Sequence, residues 1–179
     1  MKKIICLIAI LPFFVAAAQG EKTDVWKPLR FLVGTWEGRG EGASGESSVV
    51  QEYQFIFDGN FLRMTTRSVF APQEKNPKGE IHEDVGYFSF DGSRKTFILR
   101  GFYAEGFVNQ YAGKVTEDGK ELTFTTESVE NAPPGTRAKL VFLRTGEDTL
   151  EQSFHVAWPE KEFGCLSTNR LRKKKSPPR

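Results

Sequence analysis

Residues 25–172 predict an all-β domain, an antiparallel up-and-down barrel of about ten strands with a short N-terminal helix. Three observations carry that expectation. Short alternating runs are separated by tight-turn signals such as Asp58-Gly59-Asn60, Asp91-Gly92 and Asp118-Gly119. No helical periodicity occurs beyond Val33. From Trp36 onward, Trp36, Gly38, Gly40 and Gly42 share one parity while Glu37, Arg39 and Glu41 share the other. Successive strand side chains point to opposite faces, so one face is charged and the other carries a large ring followed by glycines. Glycine inside a strand marks a bend or a close approach, as the first strand of a closed barrel requires. Closure removes the unpaired edges of a meander; an open sandwich is the alternative architecture.

The elements follow in order. Lys2 and Lys3, the apolar run Ile4 to Val15 and the small residues Ala16, Ala17 and Ala18 read as a signal peptide, residues 1–18, with cleavage as late as Gly20. The run is shorter than the ~20 residues of a membrane span, so no transmembrane segment is expected after cleavage. Cys6 lies within the run, not at its end, which argues against a lipid-modified cysteine. The expectation is an exported protein, periplasmic or secreted. Val25 to Val33 reads as the short helix covering one barrel end, with Pro28 in its first turn. Ala43 to Glu46 reads as a loop, Val49 to Phe57 and Phe61 to Phe70 as strands, and Ala71 to Glu80 as the longest loop inside the fold. Val85 to Phe90, Thr96 to Tyr103, Phe107 to Val115 and Glu121 to Glu127 follow as strands. Asn131 to Gly135 breaks the chain before Arg137 to Arg144, Thr149 to Trp158 and Phe163 to Arg172. Residues 173–179 read as a basic, disordered tail whose charge suits weak contact with an anionic envelope surface.

Composition narrows the function. Removing Lys2 and Lys3 leaves 23 basic against 23 acidic residues, and six of those bases fall in the last ten positions. The body therefore carries more acids than bases, which gives no support to nucleic-acid binding. Cys165 is the single cysteine of the exported chain and has no internal disulfide partner. Stability must come from packing, for which 16 Phe, 4 Tyr and 3 Trp supply the area.

The segment Leu32-Val-Gly-Thr-Trp-Glu-Gly resembles the opening of calycin-type, lipocalin-like barrels. It is similar in particular to secreted bacterial domains of unknown function and to the nitrobindin-like haem-binding barrels, which begin with Gly-Thr-Trp and a Gly-x-Gly strand. The resemblance runs from about Trp26 to Arg172. It implies an arginine of the last strand, Arg170 or Arg172, laid across Trp36. It also implies a haem iron held through a histidine on or near the last strand. The stretch Phe163 to Arg172 contains no histidine, leaving His155 or Cys165 as the residues that would have to face inward for a haem barrel acting on nitrogen oxides or peroxides.

Read from the residues, chemistry is sparse. His82 stands beside Glu83 and Asp84, a cluster that could bind a metal only with further ligands; a solvated strand entrance is the plainer reading. His155 lies on the parity opposite Phe154, Val156 and Trp158, so it faces solvent if those three face in. Cys165 beside Leu166 reads as a small buried hydrophobe. No serine sits in a Gly-x-Ser-x-Gly elbow, and Gly38 to Gly42 lacks the Lys-Ser/Thr ending of a phosphate loop. No catalytic residue, metal or cofactor is expected. What remains is a cavity. Gly38 and Gly40 remove volume beside Trp36; Leu62, Met64, Leu99, Tyr111, Phe124, Phe142 and Phe154 supply apolar walls; Thr66, Asn109, Ser167 and Asn169 supply polar groups of inward parity. That mixture suits non-covalent binding of a small hydrophobic molecule. A structural or partner-binding envelope module with a filled barrel is the other reading.

Overall fold

The computed structural model describes residues 24–175. The expected signal peptide and residues 176–179 of the tail lie outside the described residues. Ten strands form one closed barrel, β1 Gly34–Gly42, β2 Gly45–Ile56, β3 Phe61–Phe70, β4 Glu80–Asp91, β5 Thr96–Phe102, β6 Val108–Val115, β7 Glu121–Glu130, β8 Arg137–Arg144, β9 Thr149–Ala157 and β10 Gly164–Lys173. Every strand pairs antiparallel with its sequence neighbours, and β1 pairs with β10 to close the ring. No edge is left for an open sandwich.

Alternation explains the inner and outer faces. Along β2, Gly45, Ser47, Val49, Gln51 and Tyr53 are buried while their neighbours are exposed. Along β1, Trp36 and Gly40 are buried while Glu37, Arg39 and Glu41 face solvent. A Cβ on Gly38 would fall onto the backbone carbonyl of Arg170. The glycine therefore admits the approach of β10, and does not open cavity volume as expected from its parity. At Gly40 an added Cβ would meet the side chains of Asn169 and Ser47.

One end of the barrel is filled. A 3-10 helix, Lys27–Leu32, begins with Pro28 in its first turn and buries Leu29 and Leu32. Trp36, fully buried, donates its indole N–H to the Leu32 carbonyl at 2.6 Å, which ties the helix to β1. Beneath it Phe88, Phe124 and Phe142 meet edge to face, with centroids 5.3, 6.2 and 5.8 Å apart. Such pairs add about 0.5–1.5 kcal/mol each beyond their burial.

Several boundaries differ from the sequence expectations, each for a pairing reason. β2 begins at Gly45, because Gly42 pairs with Gly45 and only Ala43 and Ser44 remain to turn the chain. β4 begins at Glu80, five residues before the expected Val85, because Glu80 through Asp84 pair with Phe70 back to Thr66. The residue across Trp36 is Lys173, neither Arg170 nor Arg172. The register pairs Trp36 with Lys173, whose ammonium lies 5.2 Å from the ring centroid and donates to the Phe31 carbonyl at 2.8 Å. Arg170 turns outward to Glu41 and Glu151. The strand thus takes in the first residue of the expected tail.

The seam makes a testable contrast. Gly38→Ala should lower the unfolding free energy by about 1–3 kcal/mol, the usual cost of overpacking. Gly92→Ala, where a Cβ would meet nothing within 4 Å, should change it by less than about 0.5 kcal/mol. Urea midpoints of the two variants check this; equal midpoints would contradict the seam.

Candidate functional site

The end opposite the helix is open. The connections β1–β2, β3–β4, β5–β6, β7–β8 and β9–β10 surround a cavity of about 310 Å³ that descends between the strands. Its walls include Met64, Val85, Phe107, Leu140, Phe154 and Val156. Tyr103 leaves β5 and stacks on Phe154 with ring centroids 6.0 Å apart. Gly101 lies under the Tyr103 ring, where any Cβ would crowd it.

A belt of buried polar groups crosses the cavity floor. Tyr53 donates to Gln51 Oε1 at 2.8 Å, Gln51 Nε2 donates to Gln152 Oε1, and Asn169 Nδ2 donates to the same oxygen at 3.2 Å. Across the barrel, Asn109 Nδ2 donates to the Tyr111 hydroxyl at 2.8 Å, and the Tyr103 and Tyr111 hydroxyls lie 2.6 Å apart. Burial pushes the Tyr111 phenol up to about 12 and the Tyr103 phenol well above its usual range, so both stay protonated at neutral pH. Asn109 is 3 % exposed, and its Oδ1 has no partner. A buried acceptor left without a donor costs roughly 1–3 kcal/mol.

At the rim, His82 Nε2 lies 3.2 Å from Asp84 Oδ1 and its Nδ1 lies 3.3 Å from Glu105 Oε1. The hydrogen bond to Asp84, then the charges of Asp84, Glu105 and Glu80, outweigh burial and raise the imidazole pKa to about 9. His82 is therefore a cation clamped between two carboxylates. His82, Asp84 and Glu105 are the residues whose ligand atoms could hold a metal, lying within 4.8 Å of one another. Glu83, the neighbour expected in this cluster, points to the outer face and pairs with Arg67. His82 lies inside β4, not before it, so alternation separates Glu83 from its two neighbours.

The cavity takes in half of the residues named from sequence parity. Gly40, Met64, Thr66, Asn109, Phe154, Ser167 and Asn169 line it. Trp36, Gly38, Leu62, Leu99, Tyr111, Phe124 and Phe142 do not; they share the inward parity but, Gly38 apart, are fully buried. Trp36, Leu62, Phe124 and Phe142 fill the half next to the helix, Gly38 is covered by β10, and Tyr111 supports the wall from behind through its hydroxyl. His155 and Cys165 pair side by side across β9 and β10 and are absent from the cavity wall. His155 meets Ser153 at 2.9 Å, and burial and Lys139 lower its pKa. Cys165 is exposed, not a buried hydrophobe; a bulge between Cys165 and Ser167 turns the strand there.

Sequence reasoning missed Gln51, Gln152, Tyr103 and Glu105. Gln51 and Gln152 had a signal, since each is an amide on the parity of apolar neighbours, Val49 and Tyr53 or Leu150 and Phe154. Tyr103 had one as well, closing the expected strand on the parity of Leu99 and Gly101, whereas Glu105 had none, because it sits in the loop beyond β5.

The model of the family described as THAP4-like, heme-binding beta-barrel domain matches residues 25–173 of the chain. Among solved structures, the chain is similar to the crystal structure of Rv2717c from M. tuberculosis, with 17% identity, a TM-score of 0.63, and coverage of 85% of this chain and 98% of that one. That likeness concerns the fold alone. A protein of unknown function of the DUF3598 family from Nostoc punctiforme aligns over 83% of this chain and 98% of its own at 9% identity, but its TM-score of 0.29 supports no argument. No curated protein matches the chain.

The His82 clamp has a pH signature. A pKa raised from 6.5 to about 9 stabilises the fold fully below pH 6.5 and loses that contribution as pH rises through 9. The unfolding free energy should therefore fall between those values, and His82→Gln should abolish that slope. NMR titration should place the His82 imidazole near 9 and that of His155 below 6.5; overlapping midpoints would contradict the clamp.

Proposed function

The chain belongs to the THAP4-like, heme-binding beta-barrel domain family, and we propose that its mouth cavity binds a small, mainly apolar organic molecule without covalent chemistry. The observation that carries this is the buried, unpartnered Oδ1 of Asn109 at the wall of a cavity whose apolar side chains include Met64, Leu140, Phe154 and Val156. A ligand with an apolar body displaces water from Met64, Leu140, Phe154 and Val156, each Å² contributing roughly 25 cal/mol. A hydrogen-bond donor on the ligand satisfies Asn109, and the belt of Gln51, Gln152 and Asn169 orients any further polar atoms. Few polar groups in a concave apolar wall are the usual make-up of such sites. The reading includes export, on the strength of the Lys2 to Ala18 sequence.

Haem is the guest that the family's description favours, and the residues of this cavity do not fit it. A haem iron takes an axial imidazole, thiolate, thioether or phenolate. β9 and β10 present Gln152, Phe154, Val156, Ser167 and Asn169 to the cavity, with His155 and Cys165 outside it. Both nitrogens of His82 face carboxylates, which hold it protonated without a free lone pair. The Tyr103 and Tyr111 hydroxyls bond each other and resist ionisation. Only the Met64 thioether is left, a weak ligand without a partner on the opposite side.

Titration with a neutral naphthylamine fluorophore tests the cavity. Saturable enhancement is expected in the native protein and in His155→Ala, and should be lost in Val156→Trp, which fills the mouth. Added hemin should give no sharpened Soret band. Enhancement that survives Val156→Trp, or a sharp stoichiometric Soret band, would overturn the reading.

A further inference from the structure

We infer that the ligand of this cavity is a small organic cation, an amine carrying an apolar body. The inference rests on the binding function proposed above and adds the sign of the ligand's charge. Among the described residues no Lys or Arg lines the cavity, whereas Glu41, Glu80, Asp84 and Glu105 all do. Glu41 is already bound to Arg170 at 2.6 Å. His82 is the one cationic group at the wall, and it faces two of the remaining three carboxylates. An uncompensated negative charge therefore remains at the rim, beside low-dielectric walls that screen it less than open water does.

The independent observation is Asn109. The residue is 3 % exposed, its Nδ2 donates to the Tyr111 hydroxyl, and its Oδ1 accepts from nothing. An acceptor so placed selects a donor, and an ammonium offers several while offering no competing acceptor. The aromatic rings of Tyr103, Phe154 and Trp158 line the cavity, and aromatic rings attract a cation placed over a face through their quadrupoles. A carboxylate would meet the rim acids and leave Asn109 unpaired, so discrimination comes from repulsion as well as attraction.

The test uses one apolar body with three heads, phenylbutylamine, phenylbutanol and phenylbutyrate, titrated calorimetrically into the full exported domain. The amine should bind more tightly than the carboxylate by about tenfold or more at low salt, with the alcohol between them. Asp84→Asn combined with Glu105→Gln should narrow that ratio, and the exposed Glu80→Gln should narrow it in part without risk to folding. Equal binding of all three heads would overturn the cationic preference and leave the cavity function standing. Binding of none would overturn both.

Discussion

The seam between β1 and β10 is the contact on which the rest of the barrel depends. It joins the first and last strands, so its register sets how the sheet coils and where each inward residue stands along the axis. Gly38 makes the seam possible, because any side chain there would strike the Arg170 carbonyl. Trp36 anchors it from within, by its indole bond to Leu32. Lys173 closes it from the far strand, over the Trp36 ring and onto the Phe31 carbonyl. Helix, first strand and last strand are thus tied at one end, where Lys173 lies over Trp36 and both reach carbonyls of the helix.

That end being filled, the other is free to differ. The inward residues change character along the axis, from the ring cluster of Phe88, Phe124 and Phe142 to the amides and hydroxyls of Gln51, Gln152, Asn109 and Tyr103. Among the described residues, Asn109 Oδ1 is the buried side-chain polar atom left without a hydrogen-bond partner. A filled interior would satisfy or exclude that atom, whereas a binding cavity can leave it for a guest. Among the described residues, the same half gathers acids at the cavity wall and no lysine or arginine. Membership of a haem-binding family does not carry over the family's iron ligand, since function lives in side chains grafted on the fold.

Much of the fold was legible because alternation is local. The parity of Trp36, Gly38 and Gly40, the turn at Asp58-Gly59-Asn60 and the outward position of His155 follow from a period of two and turn chemistry. Height along the barrel axis was not legible. Leu62 and Met64 share an inward face, yet only Met64 reaches the cavity; their difference depends on pairings with distant strands. The same non-local register places Lys173, not Arg170 or Arg172, across Trp36. The rim cluster was half visible. His82 and Asp84 were seen, but Glu83 was grouped with them because the start of β4 at Glu80 is set by β3, and Glu105 arrives from a loop with no periodic signal.

The central claim is that the barrel is filled at one end and holds a non-haem guest at the other. Native mass spectrometry with an absorption spectrum, on the purified full chain, tests it most directly. A stoichiometric extra mass without a Soret band is the result this structure predicts, and it would weigh the guest itself. A Soret band accompanied by the mass of haem would contradict the claim.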